Sequence, residues 1–205
     1  MSTIAETSPP RKRGGETRRR LMDAALAIFT AEGYERATVD EIVREAGFSK
    51  GAFYVHFESK EDLFWALLEE RIEHQQEAFR QAMSPTAPAA ESLRTILDGV
   101  FTLDRKDPLW RAIFPEFAAH AARNEKVRRR LADLYARWHG FIVSALEAGQ
   151  GAGRVRKDID ADFVASVLIA VVEGTIMQSR LAPDRVRLEV MAEPLSQLLA
   201  LWLEP

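Results

Sequence analysis

The chain has 205 residues, 47% hydrophobic and 29% charged, which is the composition of an ordinary soluble globular protein. It contains no cysteine, which excludes disulfides, thiol redox chemistry and cysteine-ligated zinc. The net charge of −3 is unevenly laid out: residues 1–60 carry ten Lys and Arg against nine Asp and Glu, while residues 61–205 carry eighteen against twenty-two, so a basic end that suits phosphates is joined to an acidic body.

Residues 1–13 hold Ser, Thr, Pro and basic residues without periodicity and predict a disordered basic arm. They lack the apolar segment of a secretory signal. From residue 16 to 31, Leu21, Ala24, Ala25, Ile28 and Phe29 follow the spacing of a core-facing helix, and Gly33 ends it. Thr38 and Glu41 have the spacing of a capping box, with Ile42, Val43 and Ala46 as the buried face of the helix that follows. Gly47 supplies a left-handed turn. Ser49 caps a third helix of barely two turns, about 50–56, and Ser59 with Asp62 opens a fourth that runs to about residue 83. The proline-rich 84–90 predicts a connection. Helices are predicted beyond it at about 90–104, 107–122, 125–148, 160–181 and 186–203, with breaks at 107–108, 124, the glycine-rich 149–153 and 182–183. Period-two alternation is not sustained anywhere, so the predicted fold class is all-α with about nine helices. It divides into the arm, a three-helix head with a helix-turn-helix at 14–59 and a larger helical body at 60–205.

The stretch 38–65, TVDEIVREAGFSKGAFYVHFESKEDLFW, carries the chemistry. Two short helices meet at Gly47 beside a run, residues 11–20, with a net charge of +5. A helix-turn-helix beside a basic arm places a short helix in the DNA major groove. Lys50 suits guanine acceptors or phosphate, and Gly51 and Ala52 are small enough for close approach to bases. Phe53 and Phe57, four apart, face the core, which leaves Tyr54 and His56 to donate to phosphate oxygens. Lys60, opening the fourth helix, is also placed for phosphate. The bland alternative is an amphipathic hairpin broken by glycine; the very short third helix, the caps and the basic arm speak against it.

Residues 16–65 resemble the N-terminal domain of TetR-like (tetracycline-repressor-type) transcriptional regulators, over about fifty contiguous positions that include AIFTAEGYERATVDEIVREAGFSKGAFYVHFESKEDLF. The resemblance implies a homodimer with a DNA-binding head and a body that binds a small molecule and dimerises through its last two helices. Its DNA contacts fall here on Thr38, Ser49, Lys50, Gly51, Tyr54, His56 and Lys60, with Arg44 on the second helix as a further candidate. The likeness fades after residue 83 and leaves the ligand open.

In the body, Trp110, Phe114 and Phe117 with Glu116 and His120 share one predicted helix, and Tyr135, Trp138 and Phe141 share the next. Such stripes fit either a packed core or the lining of an apolar pocket. The pairs Glu116/His120 and Glu70/His74 lack further ligands at metal spacing, so no metal and no cofactor is expected. The apolar run at 163–172 is half of the ~20 residues a membrane span needs. Surplus apolar surface on 160–181 and 186–203 suggests a dimer interface, monomeric core being the alternative. The leading reading is a cytoplasmic, ligand-responsive repressor that binds double-stranded DNA at an inverted-repeat operator, is released by a small apolar effector and is not an enzyme. A helical ligand-binding or enzymatic body with a non-functional head is the alternative from another class.

Overall fold

A computed structural model of the chain describes residues 10–82, 89–107, 111 and 114–205, which contain α-helices and no strand. The helices are α1 (Pro10–Glu32), α2 (Val39–Ala46), α3 (Lys50–His56), α4 (Lys60–Ala82), α5 (Ala89–Lys106), α6 (Phe114–Ala121), α7 (Glu125–Gly151), α8 (Ala161–Leu181) and α9 (Leu188–Leu203). They form two compact units divided at Glu73 and His74, inside α4. Two expectations are revised at the N-terminus. Helix α1 begins at Pro10, so residues 10–13 of the expected arm are helical, whereas 1–9 lie outside the described residues. The first unit also runs past the expected boundary at 59, because Leu63, Phe64, Trp65 and Leu68 of α4 are buried.

The first unit is built around aromatic rings. Phe29, Tyr34 and Phe64 form a closed triangle with centroid distances of 5.5, 6.1 and 5.2 Å. Rings at these separations and tilts add about 0.5–1.5 kcal/mol per pair to their burial. Around them Leu21, Ala25, Ile42 and Phe53 are completely buried. The turns follow the predicted chemistry. The Glu41 amide donates to Thr38 Oγ at 3.3 Å and the Thr38 amide donates to the Glu41 carboxylate at 2.9 Å, completing the capping box. The Thr38 hydroxyl, donating to the Glu41 carboxylate at 2.6 Å, and then the Thr38 amide hold the Glu41 carboxyl below the usual carboxylate range. Gly47 adopts φ 71°, a value that costs a side-chain-bearing residue roughly 1–2 kcal/mol.

The second unit rests on two seams. Leu188, Ala192, Leu195 and Leu199 form one stripe of α9 that packs on Leu97 and Phe101 of α5. Arg94–Glu193 at 3.4 Å and Arg105–Glu189 at 3.1 Å flank that seam. Leu146 of α7, Val164 and Ala165 of α8 and Leu203 of α9 form the other. Buried Asp104 of α5 is met by the guanidinium of Arg180 on α8.

Helix α7 breaks within the glycine-rich 149–153 as predicted, three residues later than the expected end at 148: it continues to Gly151 and is capped at Ala152. Only Gly153 takes a positive φ, 71°, while Gly149 is a site of close approach. A Cβ at Gly149 would lie 2.7 Å from Val155 Cγ2, and the Gly149 carbonyl accepts from the amides of Arg154 and Val155. Gly149→Ala is therefore expected to destabilise the protein by about 1–3 kcal/mol. Gly140→Ala, with nothing within 4 Å of the added methyl, should be stabilising by up to ~1 kcal/mol. Equilibrium urea unfolding of the two variants checks both signs.

Candidate nucleic-acid interface

A seven-residue helix is too short to persist alone, and α3 is held from both ends and from beneath. At its start Ser49 Oγ accepts from the Ala52 amide at 3.2 Å, and at its end the Phe57 amide donates to the Phe53 carbonyl at 2.9 Å. Phe53 and Phe57 point inward with 0% and 5% exposure and their rings 5.7 Å apart. Holding that face inward turns the opposite one out. Lys50, Gly51, Tyr54 and Val55, at positions i, i+1, i+4 and i+5, form an exposed ridge, with Tyr54 56% and Val55 78% exposed.

The predicted residues fall into three groups. Ser49, Lys50, Gly51 and Tyr54 converge on this ridge, with Thr38 and Arg44 exposed at the two ends of α2. Ala52 and His56 are half-buried on its flank, His56 beside Gly14 of α1. Lys60 opens α4 as predicted. Its ammonium donates to the carbonyls of Tyr34, Ala37 and Glu35 at 2.6, 2.7 and 3.2 Å, so a phosphate contact requires giving up one of these bonds. Sequence reasoning missed Val55. The signal was available: Phe53 and Phe57 fix the inward face, and position 55 is then outward. An apolar group at that point suits the methyl of thymine.

Within the basic run, Arg18, Arg19 and Arg20 are engaged in the head itself. Arg20 donates to the Ala46 carbonyl at 2.9 Å and lies 4.7 Å over the Phe48 ring, fastening α1 to the turn of the helix-turn-helix. Arg19 pairs with Glu70 of α4 at 2.5 Å and with Asp23 at 3.3 Å. Arg18 sits 5.4 Å over Phe57. These arginines build the head that presents the ridge. Lys50 is itself paired, with Asp40 of α2 at 2.7 Å, and that hydrogen bond raises its pKa above the ordinary lysine value.

The residues expected to line a pocket divide in the second unit. Trp110 lies outside the described residues. On α6, Phe117 is fully buried with His120 at 6.2 Å, Phe114 is half-buried and Glu116 is exposed. On α7, Trp138 stacks on Phe141 at 5.6 Å and meets Phe79 of α4 at 5.2 Å. Tyr135 instead turns to α8 and donates to Glu173 at 2.6 Å; burial and that neighbouring carboxylate push its phenol up. Among the described residues no group of three His, Asp or Glu is placed to hold a metal ion.

An exposed ridge on a short helix, set by a glycine turn on a three-helix head, defines a helix-turn-helix DNA-binding protein. Comparison with known proteins gives the family. The model of the tetR family of bacterial regulatory proteins matches residues 21–67, and that of the C-terminal domain of BetI-type transcriptional repressors matches residues 89–204. The transcriptional repressor DhaR of Mycobacterium sp. (strain GP1) is 28% identical over 91% of this chain and 90% of its own. Two solved structures share the fold. The FadR regulator of Bacillus subtilis in complex with stearoyl-CoA has a TM-score of 0.73 at 18% identity, covering 90% of this chain and 98% of its own. SmeT of Stenotrophomonas maltophilia in complex with triclosan has a TM-score of 0.73 at 21% identity, covering 90% and 91%. The chain belongs to the TetR family and is a DNA-binding transcriptional regulator.

Asp40 lies beside the ridge, where its charge opposes phosphate and occupies Lys50. Asp40→Asn is expected to tighten binding to a random-sequence duplex several-fold at low salt, an effect that fades as salt rises. Fluorescence anisotropy titrations at two ionic strengths read this directly, and weaker binding would mean that the pair aims Lys50 at the DNA.

Proposed function

We propose that the protein is a homodimeric repressor that binds an inverted-repeat operator through two copies of α3 and is released by a small, largely apolar effector. The exposed ridge of α3 carries this reading. Lys50 and Val55 read base edges, Tyr54 and Ser49 contact phosphate, and Thr38, Arg44, Gly51, Ala52 and His56 complete the contact surface. One head spans few base pairs, and two heads ~34 Å apart would read a near-palindrome. Acting on DNA in a bacterial cell, the protein would work in the cytoplasm.

Dimerisation is supported by apolar side chains that the single chain leaves uncovered. On α9, Val190, Leu198 and Leu201 are 53%, 64% and 80% exposed, and on α8 Phe163, Met177 and Leu181 are 61%, 54% and 78% exposed. Both helices keep their other faces in the core, as a four-helix interface between two copies requires. By length and composition alone α8, with mean hydropathy 1.5, is long and apolar enough to cross a membrane, more than the run 163–172 predicts. Glu173 at mid-helix, bonded to Tyr135, and buried Val164, Ala165 and Thr175 fit a protein interface better.

The effector reading rests on Phe79, Trp138 and Phe141 with Phe114 and Phe117 as lining, and Glu116, His120 and Tyr135 as polar partners. Triclosan and the acyl chain of stearoyl-CoA, held by the two structural relatives, are apolar, which accords with such a lining. An effector that favours the form with misspaced heads releases DNA by population shift.

Leu198→Glu and Leu201→Glu together should leave a folded monomer in sedimentation velocity, because a carboxylate in a desolvated apolar interface costs several kcal/mol. A dimer unchanged at micromolar concentration would contradict the interface. Tyr54→Ala should weaken binding to all duplexes alike, whereas Lys50→Ala should also relax base preference by about 1–3 kcal/mol at one position. Anisotropy against a panel of single-base variants of a selected duplex separates the two.

A further inference from the structure

Lys60 is the first residue of α4 and its ammonium is enclosed by the loop that joins α1 to α2. It donates to the carbonyls of Tyr34 at 2.6 Å, Ala37 at 2.7 Å and Glu35 at 3.2 Å. An ammonium has three protons, and three acceptors take them. Its nitrogen also lies 4.6 Å from the centre of the Tyr34 ring, a cation–π distance. That ring is 5% exposed and wedged against Phe29 and Phe64, so the aromatic core holds the ring and the ring holds the ammonium. Burial lowers the lysine pKa, opposed by the carboxylates of Glu35 and Glu41.

The loop so fastened ends one residue before Thr38, the N-cap of α2. Helix α2 in turn carries Gly47 and α3. The chain of contacts therefore runs from the start of α4, through four loop residues, to the element that orients the ridge. A loop of this length with free carbonyls would sample several conformations. The lysine selects one of them.

We infer that Lys60 is a positioning residue for DNA recognition, fixing where α2 starts and thereby how α3 meets the groove, rather than one of the phosphate contacts. The inference rests on the reading of α3 as the DNA-contacting helix. It separates the lysine's effect on sequence discrimination from any effect on charge, and this gives it a signature that neither a phosphate contact nor a residue that merely supports the fold would show.

The test uses the full chain and two duplexes of equal length: one selected by the wild-type protein from a random-sequence library, and the random library itself. Anisotropy titrations are run at a temperature where circular dichroism shows each variant folded. Lys60→Met is expected to lose roughly 10-fold or more in affinity for the selected duplex while staying within about 2-fold for the random one. A loss shared by both duplexes, with the salt dependence shallower by about one unit of slope per head, is the behaviour of a phosphate contact and would overturn the proposal. Unchanged affinity for both duplexes would overturn it too, leaving Lys60 a purely structural residue. Lys60→Arg is the second arm and decides the matter if the methionine variant does not fold. It keeps the positive charge, but a planar guanidinium cannot aim its donors at three converging carbonyls. The arginine variant is expected to lose the same discrimination, and wild-type discrimination would overturn the proposal. Failure of the wild-type selection to enrich any duplex would instead contradict the reading of α3 on which the inference stands.

Discussion

The head of this protein is governed by one constraint: a seven-residue helix must be held in place by something other than its own hydrogen bonds. Helix nucleation is unfavourable by about three orders of magnitude, so α3 exists because Phe53 and Phe57 are drawn into a ring-rich core and because Ser49 closes its first turn. The same inward pull decides which side chains face out. The exposed ridge is thus the complement of the core, and Lys50, Gly51, Tyr54 and Val55 are exposed because their neighbours at 53 and 57 are not.

Four of the described cations in the head serve that arrangement. Arg20 caps the carbonyl end of α2 and covers Phe48, Arg19 reaches Glu70, Arg18 covers Phe57, and Lys60 fills the loop of Tyr34 to Ala37. Hydrogen bonds from a charged donor to carbonyls contribute about 1.5–3 kcal/mol each when partly buried, more than a screened surface charge adds to phosphate attraction over a distance. A basic run in the sequence is therefore a poor measure of the electrostatic footprint.

What was legible in the sequence was local. The Thr38–Glu41 box, the Ser49 and Ser59 caps and the left-handed Gly47 all depend on partners within four residues, and the helical spacing of apolar residues placed the helices of the head and their core faces. What was not legible depended on distant partners. The roles of Arg19, Arg20 and Lys60 are set by groups 51, 26 and 23–26 residues away. The glycines at 149–153 look alike in sequence, yet Gly149 serves close packing on Val155 and only Gly153 serves a turn. The aromatic stripes of the body named candidates without saying which of them meet; the structure joins Trp138 and Phe141 to Phe79 and sends Tyr135 to Glu173. A stripe specifies a face, and what that face meets is a property of the whole fold.

The second unit extends this logic from folding to assembly. Helices α8 and α9 each carry one buried face and one uncovered apolar face, and the uncovered pair is what gives the two-headed reading its physical basis. Its central claim is symmetry: two identical ridges, held at fixed separation, meeting two copies of one short sequence. The measurement that tests this most directly is a hydroxyl-radical footprint of the full chain on a duplex that it selects from a random library. The account predicts two protected patches related by a twofold axis, with centres about one helical turn apart. A single protected patch, or protection without symmetry, would contradict it.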